Sequence, residues 1–288
     1  MNACRCLALI ILLLLGQVAS GIPLWELEGA RGQVRLLGSI HFLRASDYPL
    51  PAAMEQAYED ADVLVMELDM DDLDAMQAQA IIAQLAIDPQ GRDLEALLGQ
   101  RDFAKAKAGA AELDVPLDML RPFEPWFAAL QITQMRLQQL GLDPNLGLEQ
   151  QWSRRAREEG KEVRGLETLA DQLGTLDSMA PGTQKKFLLS TIEEAGDAQT
   201  MIDATLNAWR NGDLDALERE TTSSLADQPQ VYQRLLVDRN RAWTGQIKEL
   251  AKDGGNYLIL VGSAHLLGED SVLVMLEDAG YPARRLVR

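Results

Sequence analysis

Two stretches at opposite ends of this 288-residue chain share one frame, and that repeat limits the possible folds more than any other feature. Leu36-Leu37-Gly38-Ser39-Ile40-His41-Phe42-Leu43 matches Leu260-Val261-Gly262-Ser263-Ala264-His265-Leu266-Leu267 almost position by position. Each begins as an apolar run, the pattern of a strand buried on both faces of a helix-covered sheet. The glycine allows a tight exit from the strand or a close approach to its backbone. The histidine three residues on then stands over the sheet edge. These are the only two histidines in the chain.

The flanking segments set the fold class. Leu24 to Glu28 and Gln33 to Leu37 alternate around a glycine-bounded turn and predict a β-hairpin. Pro49-Leu50-Pro51 opens a helix to about Asp60, and Asp62 to Glu67 is a buried strand. Strand, helix, strand makes a right-handed crossover between parallel strands. Their carboxyl ends then lie on one edge of the sheet, where α/β sites form. His41 and Glu67 both follow such ends. Lys161 to Glu167 predicts another strand ending in a glutamate, and Tyr257 to Val261 the strand entering the second loop. A helix near Asp270–Asp278 and a strand near Ala283–Val287 close the chain. The expectation is an α/β protein with a mixed or mostly parallel sheet flanked by helices. Two βαβ-type halves, each with a GxxH loop, enclose a helical insert at about 71–160, and a second helical segment spans about 184–252.

Residues 1–20 read as a secretory leader: Arg5 is the only charge, Leu7 to Leu15 is apolar, and Val18-Ala19-Ser20 offers small residues for cleavage. The apolar run is shorter than the ~20 residues that span a bilayer. Retention as an N-terminal anchor is the alternative to cleavage. Both cysteines, Cys4 and Cys6, fall within it, so residues 21–288 hold no thiol nucleophile, disulfide or cysteine metal site. The expectation is a periplasmic or secreted protein with no stable membrane span after cleavage. No linker rich in Gly, Pro or Ser divides residues 21–288, which read as a single domain. The formal net charge of −17 disfavours nucleic acid and anionic lipid as partners, since both are held by Lys and Arg.

Imidazole is the commonest protein ligand for a divalent metal and the usual general base. Two histidines and a carboxylate form a common minimal catalytic set with positions left open for water. His41, His265 and Glu67 are therefore the candidate metal ligands. Glu67 and Glu167 sit at comparable strand ends, one able to bind metal while the other accepts a proton from water. Arg239 and Asn240, on a helix before the second loop, are candidates to hold a substrate carbonyl or carboxylate; a solvated helix face explains the same spacing. A blander account has both histidines capping strands or closing core hydrogen bonds, but their common frame argues against it. The acidic run Glu67 to Asp74 lacks the glycine and distal glutamate of an EF-hand and reads as a helix start. Ser39 and Ser263 lie outside a G-x-S-x-G elbow and read as backbone caps.

These residues resemble the TraB/GumN family, which includes the Tiki-type proteases. The resemblance spans nearly all of residues 21–288. It runs from Leu24-Trp25 and the first histidine loop through Tyr48-Pro49-Leu50-Pro51 and Val65-Met66-Glu67-Leu68-Asp69. It continues through Gly165-Leu166-Glu167-Thr168 with Gln172, Trp209 to Asp213, Asp238-Arg239-Asn240, the second loop and Gly280-Tyr281. The resemblance implies an erythromycin-esterase/ChaN-like core. From the Tiki branch it implies metal-dependent peptide hydrolysis through His41, His265 and Glu67, with Arg239 and Asn240 as the Arg/Asn pair. The expected cofactor is divalent Mn, Co or Zn, and the expected substrate a peptide or another small amide or ester. The competing reading is a non-catalytic envelope protein that sequesters a peptide or haem at the same histidines.

Overall fold

The computed structural model describes residues 21–69, 74–222, 225 and 227–286. The expected leader lies outside the described residues, as does Val287 of the expected closing strand. Six strands form one sheet: β1 (Leu24–Leu27), β2 (Val34–Ser39), β3 (Val63–Met66), β4 (Glu162–Gly165), β5 (Tyr257–Gly262) and β6 (Ala283–Arg285). Their order across the sheet is β4-β3-β5-β2-β1-β6.

The predicted hairpin is present. The chain turns after β1 through Gly29, whose φ of +80° suits a residue without a side chain, and Leu24 pairs with Leu37. From β2 onward the sheet is parallel: β2 pairs with β5, β5 with β3, and β3 with β4. β1 alone runs against the rest, and β6 pairs antiparallel to it. Leu36, Leu64, Leu258, Ile259 and Leu260 are fully buried. Each contributes roughly 1.5–3 kcal/mol through the apolar surface it removes from water. This explains why the central strands carry unbroken apolar runs rather than alternation.

The two expected halves interleave in one sheet. β2 leads through α1 (Ala52–Asp60) to β3, yet β5 from the far end of the chain lies between them. β5 leads through α13 (Val272–Asp278) to β6. Both sides of β5 are already taken by β2 and β3, so β6 closes the open edge of β1 instead. The two histidine strands are therefore direct neighbours.

The segment between β3 and β4 holds α2 (Ala75–Leu85), α3 (Leu94–Leu98), α4 (Gln100–Glu112), α5 (Pro125–Gln139) and α6 (Leu148–Glu159). Between β4 and β5 lie α7 (Leu169–Asp177), α8 (Pro181–Glu194), α9 (Ala198–Asn211), α10 (Leu214–Thr222), α11 (Pro229–Tyr232) and α12 (Asp238–Asp253). α9 stops at Asn211, with Gly212 in the left-handed region at φ +61°. Among the described residues no helix is long and apolar enough to cross a membrane.

Candidate functional site

The carboxyl ends of β2, β3, β4 and β5 share one sheet edge, and each delivers a polar residue there. β2 ends in Ser39 and leads to His41. β3 leads to Glu67. β4 leads to Glu167, fixed by the turn into α7, where Thr168 caps the helix and Asp171 returns the hydrogen bond. β5 ends in Gly262, and the next turn carries His265. In the parallel register Ser39 lies opposite Gly262 and Gly38 opposite Val261, so the two motifs sit one residue out of step. The loops are tied directly, Ser263 Oγ donating to the Ser39 carbonyl at 2.9 Å.

Gly262 marks the centre. A Cβ placed on it would lie 3.3 Å from Glu67 Oε1, 3.4 Å from His41 Nε2 and 3.7 Å from His265 Cδ2. Three groups from three strand ends therefore surround one small space that the missing side chain leaves open. The Gly262 N–H donates to Glu67 Oε1 at 2.7 Å. The two imidazoles, remote in sequence, share one site.

The two rings are held differently. α12 grips His265 on three sides: Asn240 Oδ1 lies 2.6 Å from Nδ1, Arg239 Nη1 lies 3.1 Å from Nε2, and the Trp243 ring packs at 4.4 Å between centroids. Arg239 can only donate, so Nε2 is the acceptor and Nδ1–H donates to Asn240. Burial pushes this ring down to about 3, and it is neutral across the ordinary pH range. His41 is more open, with 54% of its side chain facing solvent, and its Nδ1 lies 2.9 Å from Glu149 Oε1. The charge of Glu149, helped by Glu67, outweighs desolvation and raises His41 to about 9.

Arg239 is the cation at the heart of this cluster. Its Nε donates to Glu167, its Nη2 to Glu67 Oε2 and Glu167 Oε1 at 2.6 Å each, and its Nη1 to His265 Nε2 and the Leu235 carbonyl. All five of its N–H groups are therefore engaged. Its guanidinium also lies 4.6 Å from the centre of the Trp243 ring. Burial opposes the charge on Glu67, but the surrounding positive groups and the Gly262 N–H overcome it and hold the carboxyl well below its usual range. Glu167 is shifted upward by burial, which Arg239 offsets only in part. A π-helical turn at Gln233–Val237 precedes Arg239 and Asn240. These consecutive residues reach the two different nitrogens of the same imidazole.

All six predicted residues, His41, Glu67, Glu167, Arg239, Asn240 and His265, thus belong to one cluster. In this arrangement several of them are engaged with one another. Both oxygens of Glu167 face Arg239, which leaves it an ion-pair partner rather than a free base. Arg239 has no N–H left for a substrate oxyanion. Asn240 is also engaged, its Nδ2 donating to the Asp270 carbonyl at 2.7 Å. Among the described residues no three His, Asp or Glu side chains are already arranged as a coordination sphere.

A model of the TraB/PrgY/gumN family matches residues 23–285, a span that includes every strand of the sheet and every residue of the cluster. The chain belongs to the TraB/PrgY/gumN family. An uncharacterized Escherichia coli (strain K12) protein, YbaP, is 24% identical over 241 residues, covering 84% of this chain and 86% of the relative. The Shigella flexneri YbaP protein, also uncharacterized, aligns with the same figures. No solved structure matches the chain.

Within this family member, sequence reasoning overlooked Glu149 and Trp243. Trp243 stands four residues after Arg239, a spacing that stacks side chains on one helix face. Glu149 comes from the insert, and its only local sign is Gly147. A Cβ there would lie 2.0 Å from the His41 carbonyl oxygen, so only glycine lets α6 start against the first loop. Gln172, counted among the resemblance residues, reaches Glu67 Oε2 at 3.4 Å.

Proposed function

We propose that this protein is an exported metal-dependent hydrolase acting on peptide bonds or on related amides and esters. The observation that carries the reading is the space beside Gly262, bounded by Glu67 Oε1, His41 Nε2 and the edge of His265. The donor chemistry fits a divalent ion. Each imidazole has Nδ1 against an oxygen acceptor, Glu149 for His41 and Asn240 for His265. That arrangement is characteristic of metal-ligating histidines, because it fixes the tautomer and leaves Nε2 as the ligand. His41, His265 and Glu67 would hold Mn, Co or Zn, with Arg239 giving up its contacts to His265 and Glu67 while keeping Glu167. When bound, a divalent ion there supplies Lewis acidity for the attack of water on a carbonyl.

The chain's own residues divide the remaining work. Glu67 stays ionised and supplies negative charge at the centre. Arg239, Glu167 and Trp243 wall the buried side and exclude water from it. The solvent-facing edge of His41 is where a substrate carbonyl enters. The erythromycin-esterase/ChaN-like core and the periplasmic or secreted location belong to the same proposal.

A non-catalytic site that sequesters a peptide or haem is the competing reading; the hold of Arg239 on His265 Nε2 favours the peptide, since it occupies the lone pair that haem iron would need. One experiment separates the two. Protein purified from residue 21 onward is stripped with EDTA, reloaded with Mn²⁺, Co²⁺ or Zn²⁺, and incubated with a diverse peptide mixture read by mass spectrometry. The hydrolase reading expects new termini only with metal, and none from His41→Ala or His265→Ala. Stoichiometric peptide or haem binding without cleavage under every metal condition overturns it.

A further inference from the structure

We infer that Glu149 is a positioning residue for His41, the group that aims its Nε2 into the space beside Gly262. The inference rests on the metal-site reading above and adds a residue from outside the two histidine loops. Glu149 lies in the first turn of α6, and α6 begins against the first loop because Gly147 packs on the His41 carbonyl. The approach is reinforced by Leu148 N–H to the Ile40 carbonyl at 3.5 Å and by the bridge between Leu43 and Asp143. A single carboxylate oxygen, Oε1, then meets both His41 Nδ1 at 2.9 Å and the hydroxyl of Ser39.

The contrast between the rings gives the argument its force. His265 is clamped by Asn240, Arg239 and Trp243. His41 is half open to solvent, and among the described residues its ring has one polar partner, Glu149. Without that partner the ring is free to rotate and to exchange tautomers. With it, the neutral ring keeps its proton on Nδ1 toward Glu149 and Nε2 offers the lone pair, 3.4 Å from the point that a Gly262 Cβ would occupy.

Half of this carboxylate works against stability. Glu149 is largely buried, with 16% of its side chain exposed, and its Oε2 is buried with no hydrogen bond among the described residues. An acceptor left in that state costs free energy. Ser39 completes the arrangement, its hydroxyl fixing the oxygen that His41 uses while its carbonyl accepts from Ser263. The serines of the paired motif thus connect the two loops and orient the carboxylate.

The test compares metal-stripped wild type, Glu149→Ala and Glu149→Gln by Co²⁺ titration, followed by visible absorption and calorimetry. Loss of an outer-shell partner of a metal-ligating histidine typically weakens binding about 10–100-fold. Glu149→Ala is expected to show a loss of that size with an altered Co²⁺ band. Because Glu149 also raises His41, both variants melt below wild type at neutral pH, and affinity that differs between them separates positioning from stability. Glu149→Gln keeps an acceptor oxygen in place and is expected to recover most of the affinity. Wild-type affinity in Glu149→Ala overturns the inference, and so does a Glu149→Gln variant as weak as Glu149→Ala. Absence of Co²⁺ binding by the wild type defeats the functional reading instead. The positioning role is then decided by the ¹⁵N shifts of His41 recorded with the ring neutral. One Nδ1–H tautomer in wild type and a mixture in Glu149→Ala support it; the same shifts in both overturn it.

Discussion

Replacing Arg239 with methionine removes the cation and keeps much of the side chain's length. The structure predicts opposite effects of this change in metal-free and metal-loaded protein. Side-chain exposure is 11% for Arg239, 7% for Glu67 and 9% for Glu167, so the network is buried from end to end. Removing one partner of a buried pair leaves an uncompensated charge and costs about 3–5 kcal/mol. For a domain this large, each kcal/mol moves the melting temperature by about 2–4 °C. The metal-free variant should therefore melt roughly 6–20 °C below wild type. The same substitution frees Glu67 Oε2 and the lone pair of His265 Nε2. Divalent ions should then bind the variant more tightly than the wild type. A ligand at 100 times its Kd adds about 2.7 kcal/mol of stability, so Mn²⁺ or Co²⁺ should restore much of the lost melting temperature. Scanning calorimetry of EDTA-stripped protein, with and without metal, measures both effects. A metal-free variant as stable as wild type refutes the buried-cation argument. A metal-induced shift smaller in the variant than in wild type refutes the competition between Arg239 and the ion.

The two histidines impose opposite pH slopes on the stability of the metal-free protein. His41, raised to about 9, stabilises fully below its unfolded value near 6.5 and loses that contribution as pH climbs through about 9. His265, lowered to about 3, is destabilising as pH falls from 6.5 toward 3, because the unfolded ring takes a proton that the buried ring refuses. Melting curves across pH should flatten on the alkaline side in His41→Gln and ease on the acid side in His265→Asn; unchanged limbs contradict the assignments. Gly262→Ala places a methyl group 3.3 Å from Glu67 Oε1 and 3.4 Å from His41 Nε2. It should abolish Co²⁺ binding in a calorimetric titration while leaving the far-ultraviolet circular dichroism unchanged, whereas intact binding would rule out this space. Gly147→Ala drives a methyl group into the His41 carbonyl and should cost about 1–3 kcal/mol in urea unfolding, the usual penalty of overpacking; a neutral result would separate α6 from the first loop.

The sheet edge was legible in the sequence because its strands are short apolar runs, each ending in a distinctive polar residue. Gly38 to His41, Glu67, Glu167 and Gly262 to His265 could all be placed at strand ends from pattern alone. Parallel topology then brought them to one side. The neighbouring positions of β2 and β5 were not legible, since a local pattern carries no information about which strand fills a crossover slot. The tasks of Arg239 and Asn240 were also hidden. Spacing put them on a helix near the second loop, but their full engagement depends on the π-helical turn at Gln233–Val237 and on Glu67 and Glu167 arriving from elsewhere. Glu149 was out of reach for the same reason. It sits in an ordinary amphipathic helix, and only the close contact at Gly147 gives it a role.

We propose that His41, His265 and Glu67 form one divalent-ion site beside Gly262. An anomalous-scattering map from crystals of the stripped protein soaked in Mn²⁺ addresses it most directly. The expected map holds a single peak within ligating distance of His41 Nε2, His265 Nε2 and Glu67 Oε1, with Arg239 withdrawn onto Glu167. A peak elsewhere, or none, with Arg239 still bound to His265 and Glu67, would contradict it.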